Sequence, residues 1–85
     1  MKLKIMYFAS IREAVGRNAE DLDVPDGVRT VGALRDWLIA RGEPYAGSLA
    51  AGRTVRASVD RSLAESGAPL REGAEVAFFP PVTGG

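Results

Sequence analysis

Residues 75–81 read Glu75-Val76-Ala77-Phe78-Phe79-Pro80-Pro81, and this stretch decides the fold. Its first five residues place side chains alternately on two faces, which is typical of a β-strand. The strand has to end at Pro80 because a proline has no N–H to donate to a neighbouring strand. The chain beyond it therefore leaves the sheet as a short tail.

Residues 2–8 alternate in the same way and predict a first strand. One face of this strand is apolar and carries Leu3, Ile5 and Tyr7. The other face carries two lysines and ends in an aromatic residue: Lys2, Lys4, Met6 and Phe8. We expect the face with the lysines to be the outer one, because charged groups are costly to bury.

Two helices are predicted between the strands. Ser10 and Glu13 have the spacing of a capping box, and Gly16 follows as a stop, which indicates a short helix. A longer helix is expected from a cap at Thr30 to a stop at Gly42. Its apolar residues recur at helical spacing: Val31, Leu34, Trp37 and Leu38.

The rest of the chain predicts short elements. Residues 21–24 and 55–59 alternate like half-buried strands, and residues 62–64 suggest a brief return strand after a turn at Asp60-Arg61. Residues 45–52 are rich in small side chains and are expected to form one helical turn in a connection.

This order predicts an α+β domain of β-grasp, or ubiquitin-like, architecture. We expect a mixed sheet packed against one main helix, with the last strand beside the first and parallel to it through a right-handed crossover. At 85 residues the chain is long enough for one small core. We expect residues 1–81 to form this domain and residues 82–85 to form a flexible tail.

Composition excludes several classes of function. Eleven basic and eleven acidic residues are scattered along the chain without a basic stripe, so nucleic acid is not an expected partner. No stretch approaches the roughly 20 apolar residues of a membrane span, so no membrane partner is expected either, and the expected location is the cytoplasm.

The chain contains no cysteine and no histidine. Cysteine nucleophiles, serine triads, imidazole bases and metal sites built from histidine or cysteine are therefore excluded within it. We expect no bound metal and no bound cofactor. Any sulfur chemistry has to be supplied by another protein.

The tail Val82-Thr83-Gly84-Gly85 is the part with chemical potential. Two glycines let protein walls close around the backbone and leave the last carbonyl carbon open to attack. A terminal carboxylate has a pKa of about 3.5 and is a poor electrophile at neutral pH, so it has to be activated first. Transfer of AMP to it would create a leaving group, and no residue of this chain can perform that step.

Residues 75–85 resemble the ending of the small subunit of molybdopterin synthase, and residues 7–13 with Gly16 resemble the first strand and helix of that family. One departure is Asp60-Arg61, where the family commonly has Asn-Gln. The departure lies in a predicted turn away from the tail, so it puts a contact in doubt rather than the function.

The resemblance implies a sulfur carrier in molybdenum cofactor biosynthesis that is not catalytic alone. Gly85 would carry the sulfur as a thiocarboxylate, and Gly84 would be its slim neighbour. An ATP-dependent, E1-like adenylating enzyme would activate Gly85, and a sulfur donor protein would supply the sulfur. The large synthase subunit would then transfer that sulfur to cyclic pyranopterin monophosphate.

A docking surface is expected on the outer face of the sheet. Strand alternation places Phe8 and Phe79 on this face, and outward aromatic residues on adjacent strands are typical of a partner site. The resemblance adds Leu63 to this surface and allows a polar contact from Arg12 at its rim. Along the tail, it adds the approach to the reactive end: Pro80, Pro81, Val82 and Thr83.

Three alternatives remain open from the sequence. A ubiquitin-like modifier would join Gly85 to a lysine of a substrate protein instead of accepting sulfur. A sulfur carrier for thiamine thiazole would share the fold and the terminal Gly-Gly. A plain binding module would leave the tail without a reaction.

Overall fold

The computed structural model describes residues 1–81 of the chain. It contains five strands and three helices within that range, in this order: β1 (Lys2–Tyr7), α1 (Ala9–Val15), β2 (Ala19–Asp23), α2 (Val31–Ala40), α3 (Tyr45–Ser48), β3 (Arg56–Val59), β4 (Ser62–Ala64) and β5 (Glu75–Phe79). The predicted order of elements is confirmed, including the single helical turn after the main helix.

The strands form one mixed sheet in the order β2-β1-β5-β3-β4. Strands β1 and β5 are parallel, with Ile5 beside Val76 and Tyr7 beside Phe78. The other neighbours are antiparallel. The sequence therefore predicted correctly that the last strand lies beside the first, and the architecture is the expected β-grasp.

The core lies between one face of the sheet and α2. Leu34 and Leu38 of α2 are fully buried, as are Ile5 and Val76 at the centre of the sheet. Trp37, predicted as a core residue, is half-buried and packs against the edge of this core. The guanidinium of Arg41 lies 5.1 Å from the centre of its ring and covers the outward side.

The first turn of α2 is tied to the chain that follows β4. Thr30 caps the helix as predicted, since its hydroxyl accepts a hydrogen bond from the N–H of Ala33 at 3.1 Å. The N–H of Gly32 donates to the carbonyl of Ser66 at 2.8 Å. A Cβ at Gly32 would lie 3.1 Å from that same oxygen, so this close approach favours glycine.

The predicted capping box at Ser10 and Glu13 is wrong. Helix α1 begins at Ala9, its N-cap is Phe8, and no side chain caps it. The chain turns directly from β1 into the helix through Ala9, whose φ is 52°, and the carbonyl of Phe8 accepts the N–H groups of Ile11 and Arg12. Ser10 therefore lies inside the helix and not at its start. The stop at Gly16 is confirmed, with φ of 87° and its N–H bonded to the carbonyl of Arg12.

Two strand boundaries differ from the prediction. Strand β2 begins at Ala19 because pairing with β1 continues as far as Met6, and it ends at Asp23. Strand β3 begins at Arg56, one residue later than expected. The turn at Asp60-Arg61 is confirmed and has φ of 49° and 72° at its two residues. Across residues 1–81, no helix has the length and apolar character needed to cross a membrane.

Candidate functional site

The outer face of the sheet carries a row of four paired residues, three of which are apolar. Met6 of β1 pairs with Ala77 of β5, Ala77 pairs with Ser58 of β3, and Ser58 pairs with Leu63 of β4. Residues that pair directly across strands place their side chains on the same face. The row therefore runs across four strands and brings Leu63 onto the same face as Met6.

A second row lies one step closer to the end of β5. Phe79 pairs with Arg56 of β3. Phe8 follows the Tyr7–Phe78 pair, remains extended, and donates its N–H to the carbonyl of Phe78 at 3.1 Å. Phe8 and Phe79 are therefore neighbours at the end of the sheet where both β1 and β5 finish. We refer to Met6, Phe8, Leu63, Ala77 and Phe79 as the apolar patch.

The exposure of these side chains makes the patch unusual. Leu63 is 66% exposed and Phe8 is 44% exposed, and they are the large apolar residues most open to solvent within residues 1–81. Phe79 is half-buried, so it is less open than the alternation suggested. Two strongly exposed apolar side chains on one face are typical of a surface that a partner covers.

The opposite half of the outer face is charged and internally matched. Lys4 lies between Asp21 on β2 and Glu75 on β5, and Lys2 lies beside Asp23. Opposite charges facing each other across strands are mutually favourable. This charged half marks where the apolar patch ends.

Arg12 lies on α1, close to the patch in sequence and in space. Its backbone N–H donates to the carbonyl of Phe8 at 3.2 Å, and its side chain is exposed. No hydrogen bond or ion pair of that side chain is formed within residues 1–81. This position suits a contact at the rim, which stays a prediction.

The tail leaves the sheet at the patch. Pro80 and Pro81 follow Phe79, and both are half-buried. Val82, Thr83, Gly84 and Gly85 lie outside the described residues, so the predictions that fall on them are not tested by the structure. Four residues can span at most about 14 Å beyond Pro81 when fully extended.

A buried polar cluster lies on the inner face of the sheet, and the sequence analysis missed it. The hydroxyl groups of Tyr7 and Tyr45 both donate to Oε2 of Glu20, at 2.7 and 2.6 Å. Arg17 donates to the other oxygen, Oε1, at 3.0 Å. The one signal available in the sequence was a tyrosine on the apolar face of β1, since a buried hydroxyl requires a partner.

The two tyrosine hydroxyls of this cluster have raised pKa values. Burial raises the pKa of Tyr7, and the hydrogen bond to Glu20 raises it further. The pKa of Tyr45 is raised for the same reasons, burial first. Both phenols therefore remain hydrogen-bond donors at neutral pH. The cluster joins β1, β2 and α3 and is structural, because neither phenol can serve as a base there.

A groove of about 350 Å³ lies between the start of α2 and the β3–β4 hairpin. Two cations line it, Arg35 on the helix side and Arg56 on the strand side. The guanidinium of Arg35 already donates to three backbone carbonyls, those of Leu49, Ala50 and Arg53, at 2.6 to 2.9 Å. Arg35 thus secures the loop after α3 and is not poised to hold an anionic ligand.

The acidic residues near β2 do not converge. Asp21, Asp23 and Asp26 are exposed, and Asp23 binds the amino group of Met1 at 3.2 Å. Among residues 1–81, no three side chains of the metal-ligating types lie close enough together to hold an ion. Asp21, Asp23 and Asp26 are therefore best described as a solvated strand edge and turn.

Comparison with known proteins gives matches along nearly the whole chain. The model of the ThiS family matches residues 5–85. The molybdopterin synthase sulfur carrier subunit of Escherichia coli (strain K12) is 42% identical over 85 residues, which are 98% of this chain and 99% of that protein. The protein of the same name from Haemophilus influenzae is 36% identical over 83 residues, again 98% and 99% of the two chains.

A solved structure has a similar fold. Small archaeal modifier protein 1 of Haloferax volcanii superposes with a TM-score of 0.74 at 26% sequence identity. The superposition covers 95% of this chain and 98% of that one. The shared fold therefore includes almost every residue of both proteins.

Proposed function

Because this chain belongs to the ThiS family, we propose that it is the sulfur carrier subunit of a molybdopterin synthase, acting in molybdenum cofactor biosynthesis. The two curated relatives with this name match it from end to end. The structural observation that carries the proposal is the position of the apolar patch. The chain leaves β5 beside Phe8 and Phe79, so a protein that covers the patch also receives the tail.

Docking precedes the chemistry. The large synthase subunit covers Phe8, Leu63 and Phe79, and burial of their exposed area drives association. Pro80 and Pro81 restrict the backbone after β5, because each proline ring fixes its φ angle. Gly84 and Gly85, which have no side chains, then enter a narrow channel of the partner.

Activation belongs to a second partner, an ATP-dependent adenylating enzyme. The carboxylate of Gly85 attacks the α-phosphate of ATP and forms an acyl adenylate, while pyrophosphate leaves. A sulfur donor protein then supplies sulfur, formally as hydrosulfide, to the carbonyl carbon. AMP leaves with the C–O bonding pair, and one proton is released as the thiocarboxylate forms.

The thiocarboxylate sulfur is the nucleophile that the synthase uses. In the large subunit it attacks a carbon of cyclic pyranopterin monophosphate and displaces an oxygen from it. Water then hydrolyses the resulting thioester, so that the C–S bond to Gly85 breaks, the sulfur stays on the pterin and an oxygen returns to Gly85. The carrier regains its carboxylate and is ready for another cycle. This chain has no cysteine or histidine to take part in these steps, and the raised pKa values of Tyr7 and Tyr45 keep both phenols protonated, so neither acts as a base.

This assignment also sets the expected location and ligands. ATP is consumed by the adenylating enzyme and not held by this chain. Since activation depends on ATP, we place the carrier and its partners in the cytoplasm.

Deletion of Gly85 tests the proposal. The truncated chain should fold and bind the large subunit, because neither the core nor the patch includes Gly85. It should fail to support molybdopterin formation in a mixture of both subunits, the adenylating enzyme, ATP and a sulfur source. Normal cofactor formation by the truncated chain would overturn the proposal.

Conjugation to proteins is a second candidate, favoured by one observation. The similar structure from Haloferax volcanii is named as a modifier protein. A modifier would use the same acyl adenylate but would join Gly85 to a lysine amine. Lysine-linked conjugates in extracts of the host would support that function. The names of the curated relatives favour molybdopterin over thiamine thiazole as the product that receives the sulfur.

A further inference from the structure

Arg56 occupies an unusual place on the outer face of the sheet. It is the first residue of β3, it is exposed, and it pairs with Phe79. The outer face of the sheet has an apolar half and a charged half. Among the strand residues of the described chain, Arg56 is the charged residue on the apolar half. The other outward strand charges lie on the matched half, around Lys4.

Arg56, like Lys2 and Lys4 on the same face, forms no ion pair within residues 1–81. Within residues 1–81 no carboxylate lies within 4 Å of its guanidinium, whereas Arg17 binds Glu20 at 3.0 Å. Glu65, one residue past β4, forms no ion pair with Arg56. Glu75 lies four residues from Phe79 along β5, which is about 13 Å.

Arg12 of α1 is a second positive charge close to Phe8 in the chain. Arg12 follows Phe8 by four residues, and its side chain is exposed without a bonded partner in the described chain. Two arginines therefore lie near the end of the sheet from which the tail leaves: Arg56 beside Phe79, and Arg12 one helical turn after Phe8. An acidic surface complements this arrangement better than a neutral or basic one.

Covering the patch removes water from Arg56. A guanidinium stripped of water without an acceptor is strongly unfavourable, so a partner that buries Phe79 has to bring an acceptor to its neighbour. Arginine presents its N–H groups as a planar fork that matches the two oxygens of a carboxylate. Arginine is also enriched among the residues that dominate interface energies.

We propose that Arg56 is a specificity-determining residue of the docking surface and that it binds an Asp or Glu side chain of the large synthase subunit. This inference rests on the proposed function, since it assumes that the large subunit covers the patch. It adds to that function a charged contact next to Phe79, which selects a cognate large subunit over one without the acid.

Titration of the full chain with the large subunit from the same organism tests this. Arg56→Glu should raise the Kd by about 30-fold or more, because it removes the pair and places two carboxylates together. Arg56→Lys should give an intermediate Kd, since it keeps the charge and loses the fork. Arg71→Glu is the matched control, because Arg71 is exposed in the loop before β5, at the far end of that strand from Phe79.

A second measurement identifies the acid. Each surface Asp or Glu of the large subunit is changed to Lys, and one of these variants should restore binding of Arg56→Glu. Thermal unfolding of the carrier variants should match the wild type, because Arg56 is exposed and makes no described side-chain bond.

The outcomes separate the two proposals. If Arg56→Glu binds as tightly as Arg71→Glu, the role of Arg56 is overturned while the proposed function stands. If Arg56→Glu weakens binding and no Lys variant restores it, the carboxylate contact is overturned. If the wild-type chain does not bind the large subunit, the proposed function fails and the role of Arg56 fails with it.

Discussion

Tyr7 and Tyr45 donate their hydroxyl groups to the same carboxylate oxygen, Oε2 of Glu20, at 2.7 and 2.6 Å. The two rings are 6.3 Å apart, centre to centre, and tilted by 44°. Tyr7 belongs to β1 and Tyr45 to α3, so one acidic side chain on β2 connects three elements that are distant in sequence. These hydrogen bonds form a specific polar cluster beside an otherwise apolar core.

Removal of the shared acceptor should destabilise the fold. Glu20→Ala leaves two buried hydroxyls without a partner, and we expect the free energy of unfolding to fall by about 2–4 kcal/mol. Asp21→Ala in the same strand is the control, because Asp21 faces solvent, and it should change stability by less than about 0.5 kcal/mol. Urea unfolding of both variants measures the difference. Equal midpoints would contradict the claim that the hydrogen bonds to Glu20 stabilise the fold.

The same cluster predicts how stability depends on alkaline pH. Burial and the bond to Glu20 raise the folded-state pKa values of Tyr7 and Tyr45, whereas an unfolded tyrosine has a pKa of about 10. The unfolded chain therefore releases these protons first. Their contribution is complete below about pH 10 and is lost as the pH rises toward the folded-state values, by up to about 1.4 kcal/mol per pH unit for each tyrosine.

Unfolding free energies measured at several pH values from about 9 to 11 check this. The decline above about pH 10 should be shallower in Tyr45→Phe, which has one fewer raised phenol. An identical slope in that variant would assign the decline to other groups.

The turn between β3 and β4 offers a stabilising change. Asp60 and Arg61 both have positive φ, 49° and 72°, which is the pattern of a two-residue hairpin turn that favours glycine at its second position. Arg61→Gly should raise the free energy of unfolding by about 1 kcal/mol, because it relieves the left-handed strain. Arg71→Gly serves as the control, since Arg71 lacks a positive φ, and it should not stabilise.

The apolar patch makes a prediction about binding without a change in folding. Leu63 is 66% exposed, so Leu63→Ser should leave the unfolding free energy within about 0.5 kcal/mol of the wild type. The Kd for the large subunit should rise about tenfold or more, because apolar area is lost from the covered face. Calorimetric titration measures this, and an unchanged Kd would remove Leu63 from the docking surface.

Local patterns were sufficient to predict most of the fold. Alternation in residues 2–8 and 75–79 located β1 and β5, and the Thr30 cap with the Gly42 stop located α2. These patterns involve residues that are close together in the sequence, so they can be recognised without knowledge of the tertiary structure. The prolines at 80 and 81 fixed the end of the sheet for the same reason.

The failures have a common cause in contacts between distant residues. Ser10 and Glu13 have the spacing of a cap, but β1 runs so directly into α1 that Phe8 takes the capping position. The role of Glu20 was missed, since nothing near it in sequence shows that Tyr7 and Tyr45 converge on it. Periodicity places Phe79 on the outer face but does not show how far neighbouring side chains bury it.

The candidate site was predictable in part. The sequence placed Phe8 and Phe79 on one face, and the resemblance to the family added Leu63, which the strand pairing places in the same patch. Arg56 was missed because the alternation of one strand does not show which residue of another strand lies beside it. The roles of Gly84 and Gly85 depend on partner proteins. They stay predictions, which biochemical assays with those partners have to test.

The most direct test of the central claim is the intact mass of the protein purified from its own host under conditions of active cofactor synthesis. Our account predicts a fraction of the chain in which sulfur replaces one oxygen of the carboxylate of Gly85, and this fraction should disappear when the adenylating enzyme is deleted. A chain that carries only oxygen at Gly85 while the host continues to make molybdopterin would contradict the account.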